Sequence, residues 1–188
     1  MNISALQSLE LIEKLHAYDS VAAPQVEEEH LRWVGTSLSI AGQPVLIECG
    51  EIEEIVETPD VTSIPGTKPW VLGVAAFKGG LLPIFSGDVF FRKRPYTGRM
   101  RDYCMVINRA GMHFGLTLSG VQRDLQFSPE ERVVDRAIDP DFELFAVGGF
   151  DYEGEFMPVL DIDKLVADED LSNASAANFL SSRGKNDG

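Results

Sequence analysis

From Trp33 onward the chain is written in short apolar runs punctuated by glycine. Leu38 and Ile40 alternate with Ser37 and Ser39, and Met112, Phe114, Leu116 and Leu118 alternate with His113, Gly115 and Thr117. A period of two sends successive side chains to opposite faces, so these segments predict strands with one buried face. Ala41-Gly42-Gln43, Gly79-Gly80, Ala110-Gly111 and Glu153-Gly154 each stand between two such runs, where a hairpin needs its turn. Only 161–167, with Ile162, Leu165 and Val166, and shorter stretches at 68–73 and 176–181 suggest helical turns among them. The expected fold class is mainly β, in short strands of the kind that build small barrels.

Residues 1–30 follow another pattern. Ile3, Leu6, Leu9, Ile12 and Leu15 form one apolar stripe on a helix predicted over 4–15, with Ser4 and Gln7 at capping-box spacing. Ala22-Ala23-Pro24 and Glu27-Glu28-Glu29 follow as an acidic linker. The chain therefore divides into a helix and linker (1–30), a β domain (31–170) and a flexible tail (171–188).

The β domain repeats itself. Gly73, Gly79 and Pro83 correspond to Gly148, Gly154 and Pro158 at one offset of 75 residues, inside matching apolar runs. A weaker correspondence at an offset of 69 carries Leu38, Gly42, Val45 and Ile52 onto Ile107, Gly111, Phe114 and Val121. Two similar halves in one small domain predict two pseudo-equivalent β subdomains. The six-residue difference between the offsets falls in the stretch 126–142, which carries Pro129 and Pro140.

Charge narrows the function classes. The 188 residues carry 16 Lys and Arg against 30 Asp and Glu, a net charge of −14, which argues against nucleic acid or an anionic membrane as a partner. The charge is uneven. Residues 68–101 hold seven bases and one acid, Asp88, whereas 151–170 hold eight acids and one base, Lys164. Such a basic region on an acidic chain suits an acidic protein partner. No window approaches the ~20 apolar residues of a membrane span, so direct membrane insertion is not expected. Cys49 and Cys104 lie far apart in apolar surroundings and read as two buried thiols of a reduced, cytoplasmic protein.

Chemistry is sparse. His16, His30 and His113 have no His, Cys or Asp at metal-ligand spacing. Gly79-Gly80 lacks the helix and Lys-Ser/Thr of a phosphate loop, and Ser119-Gly120 lacks the flanking glycine of a nucleophile elbow. Glu51, Glu53 and Glu54 have no companion that would make them an acid–base site. Neither enzyme activity, nor a metal, nor another cofactor is expected, which leaves a binding module. Barrels bind through edge strands and hairpins, and a duplicated barrel offers two such edges.

The segment Gly73-Val74-Ala75-Ala76-Phe77-Lys78-Gly79-Gly80-Leu81-Leu82-Pro83-Ile84 resembles the signature hairpin of the CheW-like family, the chemotaxis coupling proteins. Gly154 … Phe156-Met157-Pro158-Val159-Leu160-Asp161-Ile162-Asp163-Lys164-Leu165 resembles the family's closing hairpin and helix start, and Ile52-Glu53-Glu54-Ile55-Val56 and Ile64-Pro65 fit as well. The resemblance covers about residues 33–167. The N-terminal segment and Ile64–Val71 look closest to the PilI-like branch, which serves type IV pili and twitching motility; a flagellar coupling protein is the alternative, and a small-molecule-binding barrel or an enzyme a more distant one. Departures are Lys78 where the family carries Arg, Ser86-Gly87 where it carries Asp-Leu, and Ser119 where it carries Asp.

The resemblance implies two intertwined SH3-like five-stranded barrels, with the repeat boundary near 95–101. It implies a non-catalytic adaptor between a methyl-accepting chemoreceptor and a CheA-type histidine kinase, recruited to membrane-associated receptor arrays. Carried over residue by residue, it places Ile52, Glu54 and Gly73 at the kinase-facing edge and Lys78, Gly115 and Val121 in the receptor-facing groove. A strand through 52–56 would turn Ile52 and Glu54 to one face and Glu53 and Ile55 to the other.

Overall fold

The computed structural model describes residues 32–93 and 103–174. Among these the chain forms β1 (Trp33–Ile40), β2 (Gln43–Glu48), β3 (Glu54–Glu57), β4 (Val71–Phe77) and β5 (Gly80–Phe85), then α1 (Gly87–Arg92). The second series is β6 (Tyr103–Arg109), β7 (Met112–Leu118), β8 (Gly120–Phe127), α2 (Pro140–Glu143), β9 (Ala146–Tyr152), β10 (Glu155–Leu160), α3 (Ile162–Ala167) and α4 (Glu169–Ser172). The fold is mainly β, as the alternation predicts.

The glycine turns close four hairpins. Ala41-Gly42, Lys78-Gly79, Ala110-Gly111 and Glu153-Gly154 have φ of 51° and 79°, 46° and 80°, 52° and 80°, and 51° and 85°. Positive φ at both central residues defines the type I′ turn, whose twist matches that of the strands it joins.

The sheets run β8-β1-β2-β10-β9 and β3-β6-β7-β5-β4. Each takes its β1–β2 or β6–β7 hairpin from one sequence repeat and its three remaining strands from the other. The registers obey both offsets. Leu46 on β2 pairs in parallel with Val159 on β10, and their repeat equivalents, Gly115 on β7 and Ile84 on β5, pair in the same way. Thr36 opposite Asp124 on β1–β8 is matched by Met105 opposite Ile55 on β6–β3. Single bridges from Thr62 to Val74 and from Val133 to Gly149 lay a loop along the outer edge of β4 and of β9. They carry each sheet toward a barrel.

The offset of 75 runs on into the helices. Ser86 Oγ accepts from Val89 N at 3.2 Å to cap α1, and Asp161 Oδ1 accepts from Lys164 N at 3.1 Å to cap α3. Ser86 thus keeps the cap where the family pattern has Asp. Sequence periodicity passes over α1 because Val89, Phe90 and Phe91 are buried consecutively and leave no polar face to mark a helix.

Three apolar clusters hold the fold together. The largest lies between the sheets and gathers Leu38, Ile40, Phe85, Phe90, Phe114 and Phe142 with the helices. Each barrel also has its own interior: Leu46, Leu125, Phe127, Phe150, Met157 and Val159 in the first, and Ala75, Leu82, Ile84, Cys104 and Val106 in the second.

Several expectations need correction. Residues 68–73 are not helical: Val71 N donates to Lys68 O at 2.9 Å in one turn, and β4 then begins. Cys104 is buried but Cys49 is exposed, because the chain leaves its sheet directly after β2. Leu171 and Ala174, assigned to a flexible tail, are packed in the shared core. The helix expected over 4–15 and the turn at 176–181 lie outside the described residues.

Candidate functional site

Two crossovers build the site. After β2 in the first sheet, the chain turns at Gly50 (φ 106°), where Glu51 N donates to Glu48 O at 3.1 Å, and enters the second sheet as its edge strand β3. After β7 in the second sheet, it turns at Ser119 and enters the first sheet as its edge strand β8. Ser119 N fixes this crossing by donating to Ser39 O at 2.8 Å. Ile52 and Val121, equivalent residues of the two repeats, stand where the edge strands begin.

Both line a shallow groove of about 410 Å³, whose walls include Thr36, Cys49, Glu54, Ile55 and Asp124. Ile52, Ile55 and Val121 are half-buried and rest on the shared core, so the groove floor is apolar and well supported. Its polar wall is fixed by Thr36 Oγ1, which donates to Asp124 Oδ1 at 2.7 Å.

An ion cluster forms one rim. Lys78 Nζ, at the β4–β5 turn, lies 2.7 Å from Glu54 Oε2 and 3.1 Å from Glu53 Oε1. His113 Nε2 lies 3.3 Å from Glu53 Oε2. Phe77 backs the cluster, with its ring 4.9 Å from Lys78 Nζ and edge-to-face with His113. The hydrogen bond from Lys78 holds the Glu53 carboxyl below its ordinary pKa, and hydrogen bonds to Glu54 and then Glu53 hold the Lys78 ammonium above its own. The pairing is exposed, with side-chain accessibilities of 56% for Lys78 and 42% for Glu54. Such a pair contributes little to stability and exchanges partners at small cost.

A match to the family model of the CheW-like domain covers residues 35–170. The chain belongs to the CheW-like family. A curated relative, Protein PilI of Pseudomonas aeruginosa, is 38% identical over 98 residues, covering 52% of this chain and 55% of that protein. The alignment thus spans about half the length of this relative. The crystal structure of the scaffolding protein TtCheW from Thermoanaerobacter tengcongensis superposes with a TM-score of 0.64 at 14% identity, covering 74% of this chain and 96% of that one. That likeness concerns the fold.

In this CheW-like frame the sequence-derived residues are sorted anew. Ile52, Glu54 and Val121 share one groove, and Lys78 pairs directly with Glu54 at its rim. Two residues from each of the two expected sets, Ile52 and Glu54 from one and Lys78 and Val121 from the other, therefore lie together. Glu53 and Glu54 do not face opposite ways as expected. Strand alternation begins only at Glu54, and Glu53 occupies the bend before it, so both carboxylates reach Lys78.

Two of the residues lie apart from the groove. Gly115 is buried on β7, where an added Cβ would stand 2.5 Å from Cys104 Sγ and 2.8 Å from Ile84 Cδ1. Gly73 is buried on β4 at φ 145°, and an added Cβ would stand 2.0 Å from Thr62 O. Close packing accounts for both glycines. Sequence reasoning missed Thr36, Cys49, His113 and Asp124. The outward phase of His113 between Met112 and Phe114 was the available signal for one of them. The others depend on which strands become neighbours.

Among the described residues no cluster of three or more His, Cys, Asp or Glu is arranged to hold a metal ion. No helix there is long and apolar enough to cross a membrane.

Proposed function

We propose that this chain is a non-catalytic adaptor that couples a methyl-accepting chemoreceptor to a CheA-type histidine kinase in the control of type IV pili and twitching motility. Membership of the CheW-like family supports the adaptor role, and the identity to Protein PilI supports the pilus branch. In this reading the protein works in the cytoplasm at receptor arrays.

The observation that carries the reading is the groove between β3 and β8, with its apolar floor and exchangeable ion pair. Edge strands carry unpaired backbone groups that a partner strand can extend, and charges such as Glu54 and Glu57 on β3 discourage unspecific pairing. Ile52 and Val121 supply desolvated contact area. Glu54 and Lys78 supply choice of partner, since exposed charges tune specificity and on-rate more than affinity. In this mechanism a partner's cation takes over Glu54 or a partner's carboxylate takes over Lys78.

The test is a binding titration against the kinase regulatory domain and a receptor cytoplasmic fragment. Glu54→Lys is expected to weaken kinase binding by about 2 kcal/mol, roughly thirtyfold. Lys78→Glu is expected to weaken receptor binding with the fold intact. The double variant re-forms the ion pair and restores neither. Wild-type binding by both single variants would remove Glu54 and Lys78 from the coupling surface.

A further inference from the structure

A second concentration of charge sits at the opposite end of β4, on residues that do not line the groove. Trp70 is 7% exposed and meets Phe90 edge-to-face at 6.0 Å. Its carbonyl accepts from Ser86 N at 2.7 Å, which ties the approach to β4 to the start of α1. Its indole Nε1–H is buried without an acceptor. Lys68 Nζ lies 5.5 Å from the Trp70 ring centroid and Lys93 Nζ lies 5.4 Å from it. Lys93 also lies 5.0 Å from the Phe90 centroid. It is the αL residue that ends α1 (φ 55°), so the backbone turn there helps to direct its side chain.

These two lysines differ from the other cations around them. Lys78, Arg92, Arg109 and Arg136 each pair with a carboxylate. Lys68 and Lys93 have no carboxylate partner among the described residues, only aromatic faces. The single acid within 68–101, Asp88, is buried beside Ser86 and accepts from its hydroxyl. Two like charges held near one ring attract carboxylates, and the ring limits the rotamer freedom lost when they arrive.

We propose that Lys68 and Lys93, positioned by Trp70 and Phe90, form a docking surface for an acidic segment of a protein partner. The charge of the rest of the molecule selects this class. A chain of net charge −14 repels an extended polyanion or an anionic bilayer, whose charges reach well beyond two lysines. A short segment carrying two or three carboxylates satisfies both ammonium groups and ends before it meets the acidic remainder.

The experiment is fluorescence anisotropy of a short labelled peptide carrying three carboxylates with the full chain, run beside sedimentation with phosphatidylglycerol vesicles. The expected result is peptide binding that K68E/K93E weakens at least tenfold and that high salt weakens similarly, with K68Q/K93Q giving a smaller loss. R109Q, which removes a charge already paired with Asp163, is expected to leave binding unchanged, and the vesicles to retain no protein. Thermal melting of the variants identifies any that are misfolded. Peptide binding indifferent to both double variants overturns the proposal. Vesicle binding that depends on Lys68 and Lys93 overturns it in favour of a membrane surface. Neither result bears on the groove, whose test uses other residues and other partners.

Discussion

The two barrels share one backbone plan and fill it differently. In the first, Phe127 stacks on Phe150 at 4.3 Å, Trp33 stacks on Phe150 at 4.9 Å, and Tyr152 stands edge-on to Phe127. In the second, the position equivalent to Phe150 is Ala75 and that of Leu46 is Gly115. The second barrel thus carries small residues where the first carries large ones. Gly35 lies under the Trp33 ring, where an added Cβ would stand 2.2 Å from the indole, whereas its equivalent Cys104 fills the space that Gly115 leaves. Interiors must reach the same packing density, but many combinations of side chains reach it. The hairpin turns show the complementary lesson. Their φ values agree to within a few degrees across the repeat while their charge reverses, from Lys78 to Glu153. Backbone geometry is held by turn chemistry, and surface charge is free to differ.

The largest expected effect concerns the aromatic interior. Phe150→Ala should cost about 3–5 kcal/mol by leaving a cavity among stacked rings. The equivalent Ala75→Gly should cost only about 0.5–1 kcal/mol. Urea denaturation midpoints measure both, and equal losses would mean that the two interiors are not packed differently. Next is the Cys104 thiol, which burial pushes up from an ordinary 9.0 to about 12. That leaves about a thousandfold less thiolate than usual at a given pH, apart from any loss of access. A disulfide reagent should therefore titrate Cys49 in the native protein and Cys104 only on unfolding. Rapid native labelling of two thiols would show that the small-residue barrel opens.

The equivalent glycines Gly73 and Gly148 give a finer comparison. Both have positive φ, but an added Cβ would meet carbonyl oxygen at 2.0 Å in the first and 2.8 Å in the second. Gly73→Ala should cost more than about 3 kcal/mol and Gly148→Ala about 1–3 kcal/mol. The reverse order in chemical denaturation would break the equivalence of their loop bridges.

The smallest effect is electrostatic. Glu53 has a lowered pKa in the folded state, so its contribution to stability is present above its ordinary 4.5 and fades as pH falls through the lowered value. Lys78 has a raised pKa, so its contribution is complete below 10.5 and fades as pH rises through the raised value. Melting curves should show a small advantage of wild type over K78Q at neutral pH that shrinks below about pH 4.5. An advantage constant down to strongly acid pH would show that Lys78 does not act through these carboxylates.

Much of this fold is written locally. A type I′ turn needs a glycine at its second position and a strand needs a period of two. Both are read within a few residues, so the hairpins, the repeat and the family resemblance were legible in the sequence. The family resemblance singled out Ile52, Glu54, Lys78 and Val121 one by one, but that they lie together around one groove was not legible. The two halves carry nearly the same pattern, so nothing local says whether the β1–β2 hairpin pairs with the edge strand of its own half or with β8 of the other. Packing decides this, because the crossovers after β2 and β7 send each edge strand to the opposite sheet and bury the shared core between them. From that exchange follow the groove between β3 and β8, the exposure of Cys49 and the contact of Lys78 with Glu53 and Glu54. The groove and the ion cluster join residues far apart in the chain, and only the tertiary structure fixes which distant residues become neighbours.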